Sequence, residues 1–200
     1  MARQGLRPGV LVALPRSTDP NLSRAVVLLG RHDERGTFGL VINRPSTVTA
    51  RELCEAVGAT WRGPETEVLW SGGPVSPELG WVVHEPAAEP AGHGTMQLTP
   101  TLHLSSTPER LRALAAAPPS RIRVFLGSID WAPGQLVEAM APSGVFAEAE
   151  PALVFDTPAD QIWDRLQVIG TRLHATGLRA RLRRMFGRDA AIPRATVRPK

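Results

Sequence analysis

Apolar residues come in short blocks along the first half of this chain. Residues 10–14 and 25–29 are nearly continuous apolar runs, the pattern of strands buried on both faces. A polar turn over 33–36 leads into a third strand over 38–43, which hairpin spacing makes antiparallel to the second. Pro45 ends that strand because it has no N–H to give a ladder. Residues 67–70, 80–84 and 121–127 read as further strands, the last with Ile122, Val124 and Leu126 on one face. Residues 95–104 alternate weakly and hold one strand, and 152–155 reads as the final one.

Helices interrupt these runs at capping signals. Thr49 and Glu52 have capping-box spacing, Leu53 and Val57 supply an apolar stripe, and Gly58 is a stop. Thr107 followed by Pro108 starts a helix to about residue 117, ended by Pro118 and Pro119. Pro133 opens a short helix over 134–140. Thr157 and Pro158 repeat the cap, with Ile162, Trp163, Leu166 and Ile169 as the stripe and Gly170 as the close. Residues 86–94, rich in Pro, Ala and Gly, read as a loop. Hairpin-like strand pairs mixed with helical crossovers predict a single α+β or mixed-sheet domain.

Composition agrees with one well-packed domain: 200 residues, 42% apolar and 21% charged. No apolar run approaches the roughly 18 residues needed to span a bilayer. The run at 10–14 is short for a signal peptide, lacks a small-residue cleavage site, and reads as a first strand. A single cysteine, Cys54, excludes an intrachain disulfide framework and points to a reducing, cytoplasmic setting. Charge divides the chain. Residues 172–200 hold nine Lys/Arg and one acid, while residues 1–171 hold 14 basic and 18 acidic side chains. The domain, 1–171, is mildly acidic, and the high isoelectric point belongs to a basic extension, 172–200.

Several stretches, in order, resemble the AlgH/YqgE family of bacterial proteins. GVLVALP, TDPNLSRAVVLL and RHDERGTFGLVINRP resemble its N-terminal signature, and WSGGPV with LGWVVHE its central motif. FLGSIDWAPGQLVEAM resembles its later motif and VFDTPADQIWDRLQVIG its end, so the match covers roughly residues 9–170. The resemblance implies a compact α/β fold with a curved, branched mixed sheet forming a pseudo-barrel, helices packed around it. It implies no reaction, although some members carry a transcriptional-regulator label. Here Ser128 and Ile129 replace the usual Tyr-Ala, and 142–146 lacks the usual Trp.

The polar residues that punctuate strand ends are the candidates for function. WSGGPV is not a phosphate loop, since no Lys follows and Pro74 precedes another strand. Gly72 and Gly73 instead suit a corner where backbones approach, or a contact made to a ligand through the backbone. Ser71 lacks the flanking glycines of a nucleophile elbow. His32 and His84 each stand beside an acid and have the chemistry for a base or ligand, or for structural hydrogen bonds. Arg44 can grip a carboxylate or phosphate, or pair on the surface. Trp131 and Gln135 flank Pro133 and Gly134, where a helix start could hold an anion or Gln135 could brace the turn. No metal-ligand spacing, cofactor motif or complete catalytic set is present, which leads to a cytoplasmic, non-catalytic binding or regulatory protein. Two alternatives remain. One is an enzyme or small-molecule binder whose cleft gathers His32, Arg44, His84 and Trp131. The other is contact with nucleic acid or an anionic surface through the basic extension, whose Leu178, Leu182 and Met185 or Phe186 fall on one helical face among arginines.

Overall fold

The computed structural model describes residues 9–13, 22–87, 93–136 and 144–174. Among them, ten strands form one sheet. They are β1 (Gly9–Ala13), β2 (Val26–Asp33), β3 (Gly36–Val41), β4 (Pro45–Thr49), β5 (Val68–Ser71), β6 (Val75–His84), β7 (Thr95–Thr99), β8 (Leu102–Ser105), β9 (Ile122–Trp131) and β10 (Gly144–Glu148). The order is β10-β1-β2-β3-β9-β6-β8-β7, with β4 pairing β5, and β5 joining β9 as the one parallel neighbour among these pairs. The sheet curls into a half-barrel, with a few helices packed on it in a single mixed α/β domain. These are α1 (Ala50–Ala56), α2 (Pro108–Ala116), a π-helical turn (Ala152–Asp156) and α3 (Ala159–His174).

Strand β9 is the spine, and it forks. Its first half lies between β6 and β5, with Trp81 and Trp70 both opposite Phe125. Its second half pairs β3, with Gly39 opposite Ile129 and Thr37 opposite Trp131. Gly127 stands between the two halves with φ +72°, a left-handed value that glycine adopts without penalty. Both faces of the β1–β3 region are buried, as continuous apolar runs demand. Val10, Val12, Val26 and Leu28 join the main core, while Leu11, Val27 and Leu29 join a second cluster with Ile129 and Trp131. A third cluster lies between the sheet and helices α1 and α2.

Several local expectations are corrected. Residues 95–104 form a hairpin, not one strand, because Pro100 and Thr101 turn the chain and Thr99 Oγ1 accepts from Thr101 N. Pro45 opens β4 instead of only ending β3, since a first strand residue need not donate. Residues 152–156 are a π-helical turn, not a strand. A short apolar run does not distinguish the two, and Val154 buries itself in either case. Strand β9 continues past Gly127 to Trp131, and β10 lies in a region the sequence left blank. Thr157 does not cap α3. Its hydroxyl donates to Ala152 O, and the helix passes through Gly170 to His174. The capping box at Thr49 and Glu52 forms as expected, as does the cap at Thr107. Within the expected loop at 86–94, residues 88–92 lie outside the described residues, as do 137–140 of the expected short helix, 141–143 after it, and the extension beyond 174.

Candidate functional site

The glycine corner is the branch point of the sheet. Gly72 N donates to Leu126 O, and Gly72 O accepts from Val41 N, so this one residue ties β9 to the end of β3. A Cβ on Gly72 would overlap the carbonyl of Gly127, and one on Gly73 the carbonyl of Ser128. Gly73 also has φ +146°, in the region that favours glycine. Both glycines are buried, and their backbone groups serve the fork. Pro74 and Val75 then lead into β6, which pairs with β9 on its other edge.

His84 and His32 lie at opposite ends of β9. His84 stands opposite Ile122, whereas His32 is opposite Thr37, which is opposite Trp131. Nine residues of strand separate those levels, about 30 Å at strand rise. Each histidine has a structural partner. His32 Nδ1 and Thr37 Oγ1 share a hydrogen bond at 2.5 Å, and burial pushes the His32 pKa below its ordinary value against the raising effect of Asp33.

The His84 ring is completely buried, and its bonds fix its tautomer. Nδ1 lies 2.6 Å from the carbonyl oxygen of Glu85, which can only accept, so Nδ1 carries the proton. Nε2 then accepts from Ser105 Oγ at 2.9 Å. Ser105 in turn accepts from Thr95 Oγ1 at 2.7 Å, and Thr95 accepts from Arg110 Nε at 3.2 Å. The chain of donors runs one way, from the Arg110 cation on α2 to the Glu85 carbonyl just past the end of β6. Burial pushes the His84 pKa down, and His103 and Arg110 act in the same direction against the Glu85 hydrogen bond. Ser105 and His84 have the spacing of a nucleophile and its base, yet both are fully buried between the sheet and α2.

The remaining candidates fall elsewhere. Gln135 Oε1 accepts from Ala132 N at 2.9 Å and Gln135 N donates to Ala132 O, so this side chain braces the turn at Gly134. Trp131 is buried in the second cluster. Arg44 donates to Ser23 O at 3.5 Å, and its own carbonyl accepts from Ser71 N beside the glycine corner. Of the sequence-selected residues, the structure brings Arg44 near Gly72 and Gly73, and His32 near Trp131. It does not gather His32, Arg44, His84 and Trp131 into one cleft. Among the described residues no group of three or more His, Cys, Asp or Glu side chains is arranged to hold a metal ion. No described helix is long and apolar enough to cross a membrane.

Asn43 and Pro45, on either side of Arg44 in sequence, line an open groove of about 490 Å³ together with Arg24, Ala159, Asp160 and Trp163. Three parts of the chain meet there: the turn before β2, the end of β3, and the first turns of α3. Arg24 occupies a left-handed backbone conformation, φ +51°, unusual for a side chain of its size. Asn43 holds it there by donating through Nδ2 to Arg24 O and accepting from Val26 N through Oδ1. The Arg24 guanidinium lies 3.9 Å over the Trp163 ring and pairs with both oxygens of Asp164, at 3.2 and 3.3 Å. The groove is therefore a stacked cation–indole pair with flanking carboxylates and an amide. Sequence reasoning selected none of Arg24, Trp163 or Asp160 as site residues. Arg24 stands in a turn and Asp160 at a helix start, and Trp163 lies on the apolar stripe of α3, the pattern of a core residue.

Comparison with known proteins gives one consistent result. An AlgH-like family model matches residues 10–172. A UPF0301 protein of Variovorax paradoxus is 37% identical over 166 residues, covering 78% of this chain and 83% of that protein. One of Myxococcus xanthus is 37% identical over 163 residues, covering 80% and 88%. Among solved structures, the solution structure of the AlgH protein from Pseudomonas aeruginosa superposes with a TM-score of 0.67 at 31% identity. It covers 86% of this chain and 91% of that one. A crystal structure of a Corynebacterium diphtheriae protein, with TM-score 0.60 at 23% identity, covering 82% and 87%, shares the fold.

Proposed function

This chain belongs to the AlgH-like family, and from that premise we propose that it is a cytoplasmic, non-catalytic binding protein with a regulatory role. The observation that supports this reading is the disposition of its polar side chains. Those with catalytic chemistry, His32 and His84, are bonded to structural partners at opposite ends of β9. The concave feature is instead lined by Arg24, Asn43, Asp160 and Trp163, groups suited to holding a ligand by charge, hydrogen bonding and stacking. Cytoplasmic placement rests on the lone cysteine, buried Cys54, whose thiol burial pushes up in pKa and so away from reactivity.

A thermal-shift and NMR screen of the full chain against a metabolite library tests the reading. Saturable binding that perturbs Arg24, Asn43 and Trp163 resonances, and that is lost in Arg24→Ala, is the expected outcome. Turnover of a defined metabolite, abolished by His84→Ala in a protein that remains folded, would overturn it.

A second reading is supported by the charge division. Residues 172–200 carry a net charge of +8 beside a domain of −4, which favours contact with a polyanion through the extension.

A further inference from the structure

Among the described residues, two buried side-chain donors have no hydrogen-bond partner: Trp81 Nε1 and Arg123 Nη1. The register sets them on the same face of two paired strands. Trp81 is opposite Phe125 and Val83 is opposite Arg123, so the two side chains occupy diagonal positions on one face of the β6–β9 pair. Such positions are about 7–8 Å apart, within the reach of long and aromatic side chains.

Arg123 is only 8% exposed, and its other contacts hold its plane in place. The guanidinium lies 3.8 Å over the Trp70 ring, and Nη2 donates to Phe155 O at 3.2 Å. Phe155 belongs to the π-helical turn, a form that occurs mostly as single turns and is frequent at functional sites. An unpaired donor on a guanidinium so deeply buried is costly, and native proteins satisfy such groups.

We infer that Trp81 Nε1 and Arg123 Nη1 share a bound, uncharged oxygen acceptor enclosed between β6, β9 and the π-helical turn. Its source is either a resident water or the carbonyl oxygen of a small ligand. The local charge argues for an uncharged guest. Glu67 and Asp156 already face the Arg123 cation, and Arg121 beside it pairs with both Glu85 and Asp156. An added oxyanion would therefore meet carboxylates that already balance the cations. The inferred site is separate from the groove at Arg24 and Trp163.

NMR on the full chain, with ¹⁵N-labelled Trp and Arg side chains, tests this. A resident water predicts dipolar cross-peaks to water at Trp81 Hε1 and at the Arg123 guanidinium protons. Acetamide, a small carbonyl probe, distinguishes the sources. Cross-peaks that persist through the titration assign the acceptor to water. A saturable shift of both resonances, with loss of the water cross-peaks, assigns it to a site open to small carbonyl ligands. Trp81→Phe should weaken the Arg123 signal severalfold, and Arg123→Lys should do the same at Trp81. The phenylalanine variant alone suffices where the lysine variant does not fold. Absence of both water cross-peaks and acetamide shifts would overturn the inference. So would a preferential response to inorganic phosphate, or an Arg123 signal unchanged in Trp81→Phe.

Discussion

His84 shows how one residue is claimed by its surroundings. Its pKa is held below the ordinary 6.5, chiefly by burial. The unfolded chain therefore binds a proton more readily than the folded one. The associated stability is fully present above about pH 6.5 and is lost as pH falls from there towards the lower folded value. His32 and His103 are shifted in the same direction, also chiefly by burial. Urea denaturation between pH 8 and pH 5 should show stability falling on the acid side, with a smaller fall in His84→Gln. A pH-independent transition would contradict the assignment. The network also makes Ser105 a stability residue. Ser105→Ala leaves the fully buried His84 Nε2 without a donor and the half-buried Thr95 hydroxyl without its acceptor. The expected cost is about 1–3 kcal/mol, read from the denaturation midpoint.

At the level of elements, the glycine corner and the glycine that ends α1 offer a controlled contrast. Gly58 has φ +66° with nothing within 4 Å of an added Cβ, so Gly58→Ala meets conformational strain alone, about 1–2 kcal/mol. Gly73→Ala would add a backbone overlap with Ser128 to its strain and should cost about 3 kcal/mol or more. Equal losses in thermal denaturation would mean that the fork yields easily. These elements also mark how far the sequence could be read. The Thr49–Glu52 box and the Thr107 cap were legible because a cap is decided by a few adjacent residues. The turn at 152–156 was not, since its short apolar run suits a strand or a buried helical turn equally. Strand β9 looked finished at Gly127 because glycine usually ends a run, whereas here it bends one strand between two partners. The groove was the least legible feature. Arg24 meets Asp164 across 140 residues, and no local pattern announces a pairing that only the closed fold creates.

At the scale of the whole molecule, the unequal division of charge leads to a test of its own. The family match ends at residue 172, close to where the acidic domain gives way to the basic extension. Helix α3 runs to His174, so removing residues 175–200 leaves every described element intact. The truncated chain should keep its thermal midpoint, because every described member of the three core clusters is retained. Its affinity for a DNA duplex should change far more. If the extension neutralises about six phosphates, binding by the full chain should weaken with a log–log salt slope of roughly −5. Truncation should remove nearly all of that slope, since the mildly acidic remainder repels the polyanion. Fluorescence anisotropy at several salt concentrations measures both quantities. A truncated chain that binds with the same slope would place the contact on the domain surface instead. A full chain that does not bind at low salt would leave the groove as the functional surface to pursue.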